Sequence, residues 1–253
     1  MKFINYIYNM LALVCGLMLT ISVSSFADEK ADHVDISIAS MEIPLAYEEN
    51  GNGVYNDVLD RLTEGYQGNI QTSFYPAARF SRVMSGRGAD CAYIATDSLN
   101  VWEAEGVMPE ELEFVGPINT LYVVVYIPSD APDVTIIEEV KQLNLASDIN
   151  LLGVIHQLGI KENLALQSQV QMLNLLAINR INGLIGYDFD LDFLSRELGL
   201  SGKMKKASVR LGSLTDGILC FKTEKTAVFR AHLRRQLSEI EASGWLKEAF
   251  ADY

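Results

Sequence analysis

From residue 34 onward the apolar positions switch repeatedly between two periods. Val34, Ile36 and Ile38 alternate with polar neighbours, the period-two signature of a strand with one buried face. Tyr55, Val58, Leu59 and Leu62 fall at i, i+3, i+4 and i+7 and predict one face of a helix. Ile70 to Tyr75 predicts a second strand, stopped by Pro76, which lacks the N–H a continuing strand would need. Phe80, Val83 and Met84 give another helical face that ends at Gly86 and Gly88, and Asp90 leads into a strand over Cys91–Ala95. This β-α-β-α-β order predicts a parallel sheet with helices packed on it. The run Leu121–Ile127 is β-branched and aromatic, and Pro128 closes it. Such a run suits a strand buried on both faces or passing between two halves of the molecule.

A second block follows. It predicts a strand over Ile149–Ile155, a helical face at Val170, Leu173 and Ala177, a strand over Gly183–Tyr187, and a further face at Leu191, Leu194 and Leu198. A strand over Ile218–Phe221 precedes a long helix marked by Phe229, Leu233, Leu237 and Ile240, broken at Gly244. In each block a strand runs into an aspartate, Asp97 in one and Asp188 in the other. Both therefore stand at strand C-termini, the edge where open α/β sheets bind ligands.

The first 27 residues have a different character. Lys2, an apolar run over Met10–Val23, and small residues Ser25 and Ala27 make the pattern of a secretory leader cleaved after Ala27. The apolar run is shorter than the ~20 residues that span a bilayer. The expectation is a soluble, exported, periplasmic protein. Cys15 would leave with the leader, so Cys91 and Cys220 remain. Each lies in a short apolar strand, and no metal-ligand spacing joins them. Two buried thiols are the simpler expectation, with a disulfide between them as the alternative that export keeps open. Twenty basic against 33 acidic residues give a net charge of −13, which argues against nucleic acid as a partner. The run Lys203, Lys205, Lys206 and Arg210 reads as a solvated surface turn.

Four segments, in order, resemble the periplasmic substrate-binding proteins of ABC transporters, specifically bacterial solute-binding protein family 3. They are Ile43–Tyr47 with Gly53–Leu59, Tyr75–Arg79 through Ser85–Asp90, Phe114–Ile118, and Leu237–Ile240 with Gly244–Lys247 and Tyr253. The resemblance implies an α/β fold of the type II periplasmic-binding-protein kind. Two lobes, each a mostly parallel sheet flanked by helices, would be joined by two crossovers and would close on a ligand. Lobe one would be residues 28–118 plus 217–253, and lobe two 119–216. It further implies a monomer that takes a small polar ligand, amino-acid-like or carboxylate, without a cofactor, and hands it to an ABC permease. The alternative is a sensor that presents ligand to a membrane receptor. A dehydratase-like enzyme on the same fold is the third reading. Glu42, Asp97, Asp188 and His156 are its cleft candidates, and they form no recognisable catalytic constellation.

The candidate ligand contacts are each weighed against a plainer role. Arg79 follows Pro76 on a helix face opposite the apolar one, and its guanidinium suits a carboxylate; otherwise it is a solvated helix charge. Asp188 would hold an α-amino group, or else cap the helix that follows. Tyr47 and Tyr187 would wall the pocket, or simply fill core. Thr96, Ser98 and Asn119 would donate hydrogen bonds. His156 is expected at a strand end facing the cleft, although a surface or structural role is the commoner fate of a lone histidine. The family's amino-acid binders carry an arginine in a T-x-x-R segment near Thr96, and here that segment reads Thr96-Asp97-Ser98-Leu99. The carboxylate clamp is missing unless Arg79 replaces it.

Overall fold

The computed structural model describes residues 34–98, 102–103 and 106–251. The leader-like segment 1–27 lies outside the described residues. The chain first forms β1 (Ile36–Ser40), α1 (Val54–Thr63), β2 (Ile70–Phe74), α2 (Ala77–Ser85) and β3 (Cys91–Thr96). β1 pairs in parallel with β2 on one side and β3 on the other, as the alternation of periods predicts. α1 starts where Gly53 adopts φ 111°, and a Cβ there would stand 2.3 Å from the Ala46 carbonyl oxygen. Glycine is needed at this junction for both reasons.

Then comes β4 (Leu112–Pro128), a strand of 17 residues, followed by α3 (Ile137–Val140), β5 (Leu145–Asp148), α4 (Leu152–Gln157), β6 (Leu164–Leu166) and α5 (Gln169–Ala177). β7 (Gly183–Tyr187), α6 (Asp188–Glu197), the 18-residue β8 (Met204–Phe221), α7 (Glu224–Ser243) and α8 (Trp245–Ala249) complete it. β5 pairs in parallel with β6 and β7. Gly244, left-handed at φ 77°, ends α7.

The strand order is β2-β1-β3-β8-β4-β7-β5-β6. Two parallel triplets therefore flank a central antiparallel pair, β4 with β8, whose register runs from Leu112 opposite Phe221 to Pro128 opposite Met204. The two expected crossovers are themselves these strands. Because they bond to each other along most of their length, the sheet is continuous. The strands expected over Leu121–Ile127 and Ile218–Phe221 are the ends of these longer ones. Lys205, Lys206 and Arg210 belong to β8 and do not form a turn; Lys206 pairs with Asp192 at 2.6 Å, and Lys205 donates to the Ala131 carbonyl.

Both faces of the sheet are covered. In β4, Val123, Val125 and Ile127 pack into one apolar cluster with Leu145, Ile155 and Ile185. Val124 and Tyr126 pack into another with Met172, Leu173, Leu184 and Leu191. This two-sided burial explains the unbroken apolar run. Around β1 and β3, one cluster joins Tyr55, Val58 and Leu62 of α1 to Phe229, Leu233 and Ile240 of α7. The opposite face holds Phe80 and Met84 of α2 with Ala92 and Leu219.

The second block also departs from expectation at its first strand. The strand is Leu145–Asp148, and Ile149–Ile155 is helical. The Asp148 carboxylate accepts the Asn150 N–H at 2.9 Å and starts a turn of 3₁₀ helix, which continues into α4. Apolar residues alone do not distinguish a short buried helix from a strand, and Asp148 supplies the boundary.

Cys91 and Cys220 stand directly opposite each other across β3 and β8 and are joined by a disulfide. This overturns the expectation of two free thiols, because antiparallel pairing brings the two short apolar strands side by side. The bond ties positions 129 residues apart. A Cys91→Ala/Cys220→Ala double variant is expected to lose about 2–5 kcal/mol of stability. Urea unfolding of the variant against the oxidised parent measures this, and an unchanged midpoint would show the bond to be energetically idle.

Candidate functional site

The C-terminal ends of all six parallel strands converge on one cavity of about 440 Å³. Met41–Pro44 follow β1, Phe74–Pro76 end β2, Thr96 ends β3, Asp148 ends β5, Gln167–Val170 follow β6, and Tyr187 ends β7. Leu121 of β4 and Leu214–Asp216 of β8 form the floor where the two halves meet. Parallel strands place their successors at this edge, so the topology creates the site before any particular side chain is chosen. The volume lies within the range of small-molecule pockets.

The chemistry of the wall is one-sided. Glu42, Glu49, Asp148, Asp190 and Asp216 line it, and no lysine, arginine or histidine does so among the described residues. Phe74, Tyr75 and Tyr187 supply aromatic surface, while Gln167, Ser168, Gln169, Asn150 and Thr215 supply neutral polar groups.

Two buried networks organise these acids. In the first, Asp216 accepts the Tyr55 hydroxyl and, at 2.9 Å, the Asn119 N–H, while the Asn119 amide donates to the Tyr55 oxygen at 3.3 Å. This links α1, β4 and β8 where the long strands pass from one half to the other. In the second, the Gln169 amide donates to Asp190 at 2.9 Å and to Asp148 at 3.5 Å. Gln169 sits at the first position of α5, and Ser168 caps that helix by accepting the Gln171 N–H. None of Asp148, Asp190 and Asp216 forms an ion pair among the described residues.

Burial without a cation raises the affinity of these carboxylates for protons. Desolvation pushes Asp190 from 3.8 to about 7, opposed by the Gln169 hydrogen bond and reinforced by the negative charges of Asp148 and Asp188. Asp216 also rises to about 7, chiefly through burial, with the Tyr55 and Asn119 hydrogen bonds pulling the other way. Asp148 rises for the same leading reason.

Thr96, Tyr187 and Glu42 line the cavity; the other residues singled out in the sequence as ligand contacts or cleft candidates do not. Arg79 is exposed and outside the lining, with its guanidinium 5.4 Å from the ring centre of the wall residue Tyr75. Tyr47 is buried against Phe74 and Tyr93, one layer beneath the wall. Asp188 opens α6, accepts the Tyr122 and Phe189 N–H groups at 2.9 Å each, and faces Lys206. The Ser98 N–H donates to the Thr96 hydroxyl, and Asn119 belongs to the Asp216 network. His156 lies in α4, not at a strand end, and pairs with Glu162 at 2.8 Å on the surface. Asp148, Gln169, Asp190 and Asp216 escaped the sequence reading. The misplaced strand hid Asp148, while Asp216 carried a signal in being an acid embedded in an apolar strand.

No protein-family model matches the sequence, and no curated protein is detectably similar to it. Solved structures do match. A histidine kinase sensor domain with similarity to periplasmic binding proteins superposes with a TM-score of 0.70 at 14% identity, over 87% of this chain and 96% of the other. The GluR0 ligand-binding core from Nostoc punctiforme, in complex with L-glutamate, gives 0.67 at 12%, over 85% and 97%. The substrate-binding protein of an amino acid ABC transporter gives 0.65 at 12%, over 85% and 96%. The chain therefore has the α/β fold of type II periplasmic binding proteins, a mixed sheet flanked by helices. Among the described residues no helix is long and apolar enough to cross a membrane.

The buried acids make stability depend on pH. Below about 3.8 Asp190 is protonated in folded and unfolded chains alike; between there and about 7 the folded chain holds the extra proton. The neutral carboxyl's stabilising contribution is thus present at low pH and is lost as the pH rises through about 7. Asp190→Asn cannot ionise, so it should be more stable than the parent at pH 8, by at most about 4 kcal/mol. The gap should close toward pH 4. Thermal melts across pH 4–8 read this out, and a gap independent of pH would contradict it.

Proposed function

We propose that this protein is an exported solute-binding protein that captures a small polar molecule between two lobes and delivers it to an ABC importer. The observation that carries the reading is the cavity at the convergence of six strand ends, walled by both parallel triplets. A site made from two half-sheets changes shape when the halves move, and ligand contacts with both halves favour the closed arrangement. The proposed lobes are residues 28–118 with 217–253, and 119–216. The apolar clusters support this division. Two draw their buried residues from 36–118 and 218–240, and two from 123–211.

The same geometry serves a sensor, in which a membrane receptor reads the closed form. The likeness to a histidine kinase sensor domain favours keeping this second reading. The two differ in partner and share the capture step. Cross-linking of the ligand-saturated protein in its native membrane distinguishes them: recovery of a transporter permease supports import, and recovery of a receptor supports sensing.

Capture has a direct test. A saturating solute at 100 times its dissociation constant should add about 2.7 kcal/mol of stability. The same solute should reduce the radius of gyration measured by small-angle X-ray scattering. A panel of amino acids, small carboxylates and polyamines that shifts neither the melting temperature nor the radius would overturn the capture reading.

A further inference from the structure

Gln169 ties together two carboxylates of the cavity wall. Gln169 is 8% exposed and lies in the cavity wall between Asp148 and Asp190. Its Nε2 donates to both carboxylates, which fixes the orientation of the amide. Its Oε1 is then buried with no hydrogen-bond partner. That oxygen has essentially no accessible surface, so it is sealed from the cavity, and the acceptors of this part of the wall are the two carboxylates. Both are buried with no ion-pair partner among the described residues, although buried charges are ordinarily paired.

Resting on the capture reading, we infer that the ligand is a small organic cation whose primary ammonium group is held by Asp148 and Asp190. An ammonium has three N–H donors and no acceptor, which suits two carboxylates held side by side by one glutamine. Phe74, Tyr75 and Tyr187 offer the flanking apolar and π surface that suits an alkylammonium. Glu42, Glu49 and Asp216 make the remaining wall acidic as well, which favours a second positive charge on the ligand.

The wall also indicates what the ligand lacks. An α-carboxylate needs a guanidinium, an ammonium or free helix-terminal N–H groups. The described wall has no cationic side chain, and the start of α5 faces the cavity beside two carboxylates that would repel an anion. Arg79 is not part of the lining, although its guanidinium lies 5.4 Å from the ring centre of Tyr75. An amine without a carboxylate meets attraction throughout, whereas a zwitterion meets repulsion at one end.

Isothermal titration calorimetry of the full mature chain at pH 8 in 150 mM NaCl, with putrescine and spermidine against glutamine, glutamate and butyrate, tests the assignment. Saturable binding of an amine is expected, with at least a tenfold loss in Asp190→Asn and in Asp148→Asn. Asp190→Asn is expected to be more stable than the parent at this pH, so its loss of binding is not loss of fold. Proton release is a second readout. Asp148, Asp190, Asp188, Asp216, Glu42, Glu49, Tyr75 and Tyr187 are the titratable groups near the site, and a bound cation should displace protons held by the buried acids. Heats measured near pH 7 in two buffers of different ionisation enthalpy should therefore differ. Amine binding unchanged by Asp190→Asn would assign the effect to surface charge and overturn the inference. Glutamine, glutamate or butyrate binding as tightly as the amines would overturn it too, while leaving capture intact. Silence from every solute would remove both.

Discussion

The antiparallel pairing of β4 with β8 is the constraint on which the rest of the structure depends. Each strand is long enough to belong to both halves of the sheet, and each offers its outer edge to a parallel triplet: β3 on β8, β7 on β4. Remove this pair and the triplets have no common edge, the strand ends no longer converge, and the cavity loses its floor. The Asp216 network reinforces the pair where it crosses between halves. Tyr55 reaches it from α1, and Asn119 meets it from β4 close to a register shift that follows Val115. A carboxylate buried in the middle of a sheet is unfavourable unless its lone pairs are met, and here the strand pairing itself provides one of the donors. The position is thus both a tie between strands and a wall of the site.

The acidic wall makes sense as a pre-formed electrostatic environment. Five carboxyl groups around one cavity repel each other, and burial makes ionisation of three of them harder. Folding tolerates this partly through protonation and partly through Gln169, whose single amide group neutralises nothing but donates to two acids at once. A core formed only for stability would place apolar side chains here, as the neighbouring clusters do. The unpaired acids mark the strand ends as the place where local consistency gives way.

Much of the fold was legible in the sequence because period and punctuation agreed. Val34–Ile38, Tyr55–Leu62 and Phe229–Ile240 have one burial pattern each, and Pro76 and Gly244 end elements where backbone chemistry requires it. Legibility failed where two structures share a pattern. Ile149–Ile155 is apolar enough for a strand, and only the capping of the turn by Asp148 makes it helical. The disulfide could not be chosen over free thiols because it depends on β3 and β8 being neighbours, a fact of topology and not of either segment. The candidate site was legible at its edges, Thr96 and Tyr187, which end recognisable strands. Its centre was not, since Gln169 and Asp190 lie at the first and third positions of helices whose start points the sequence leaves uncertain by a residue or two.

The relation of Asp188 to Asp190 shows why that uncertainty matters. Reading the end of β7 as the ligand-binding position selects Asp188, the residue immediately following the strand. In the folded chain its carboxylate already accepts the N–H groups of Tyr122 and Phe189, and Lys206 stands 3.7 Å away. Through one oxygen it anchors the start of α6 to β4, while its other oxygen faces Lys206. Two residues further on, the helical turn carries Asp190 into the cavity, where its one hydrogen-bond donor among the described residues is Gln169 and no cation opposes it. Two aspartates two positions apart thereby sit in opposite surroundings: one accepts two backbone N–H groups and faces a lysine, and the other is buried in the cavity wall with no cation beside it among the described residues.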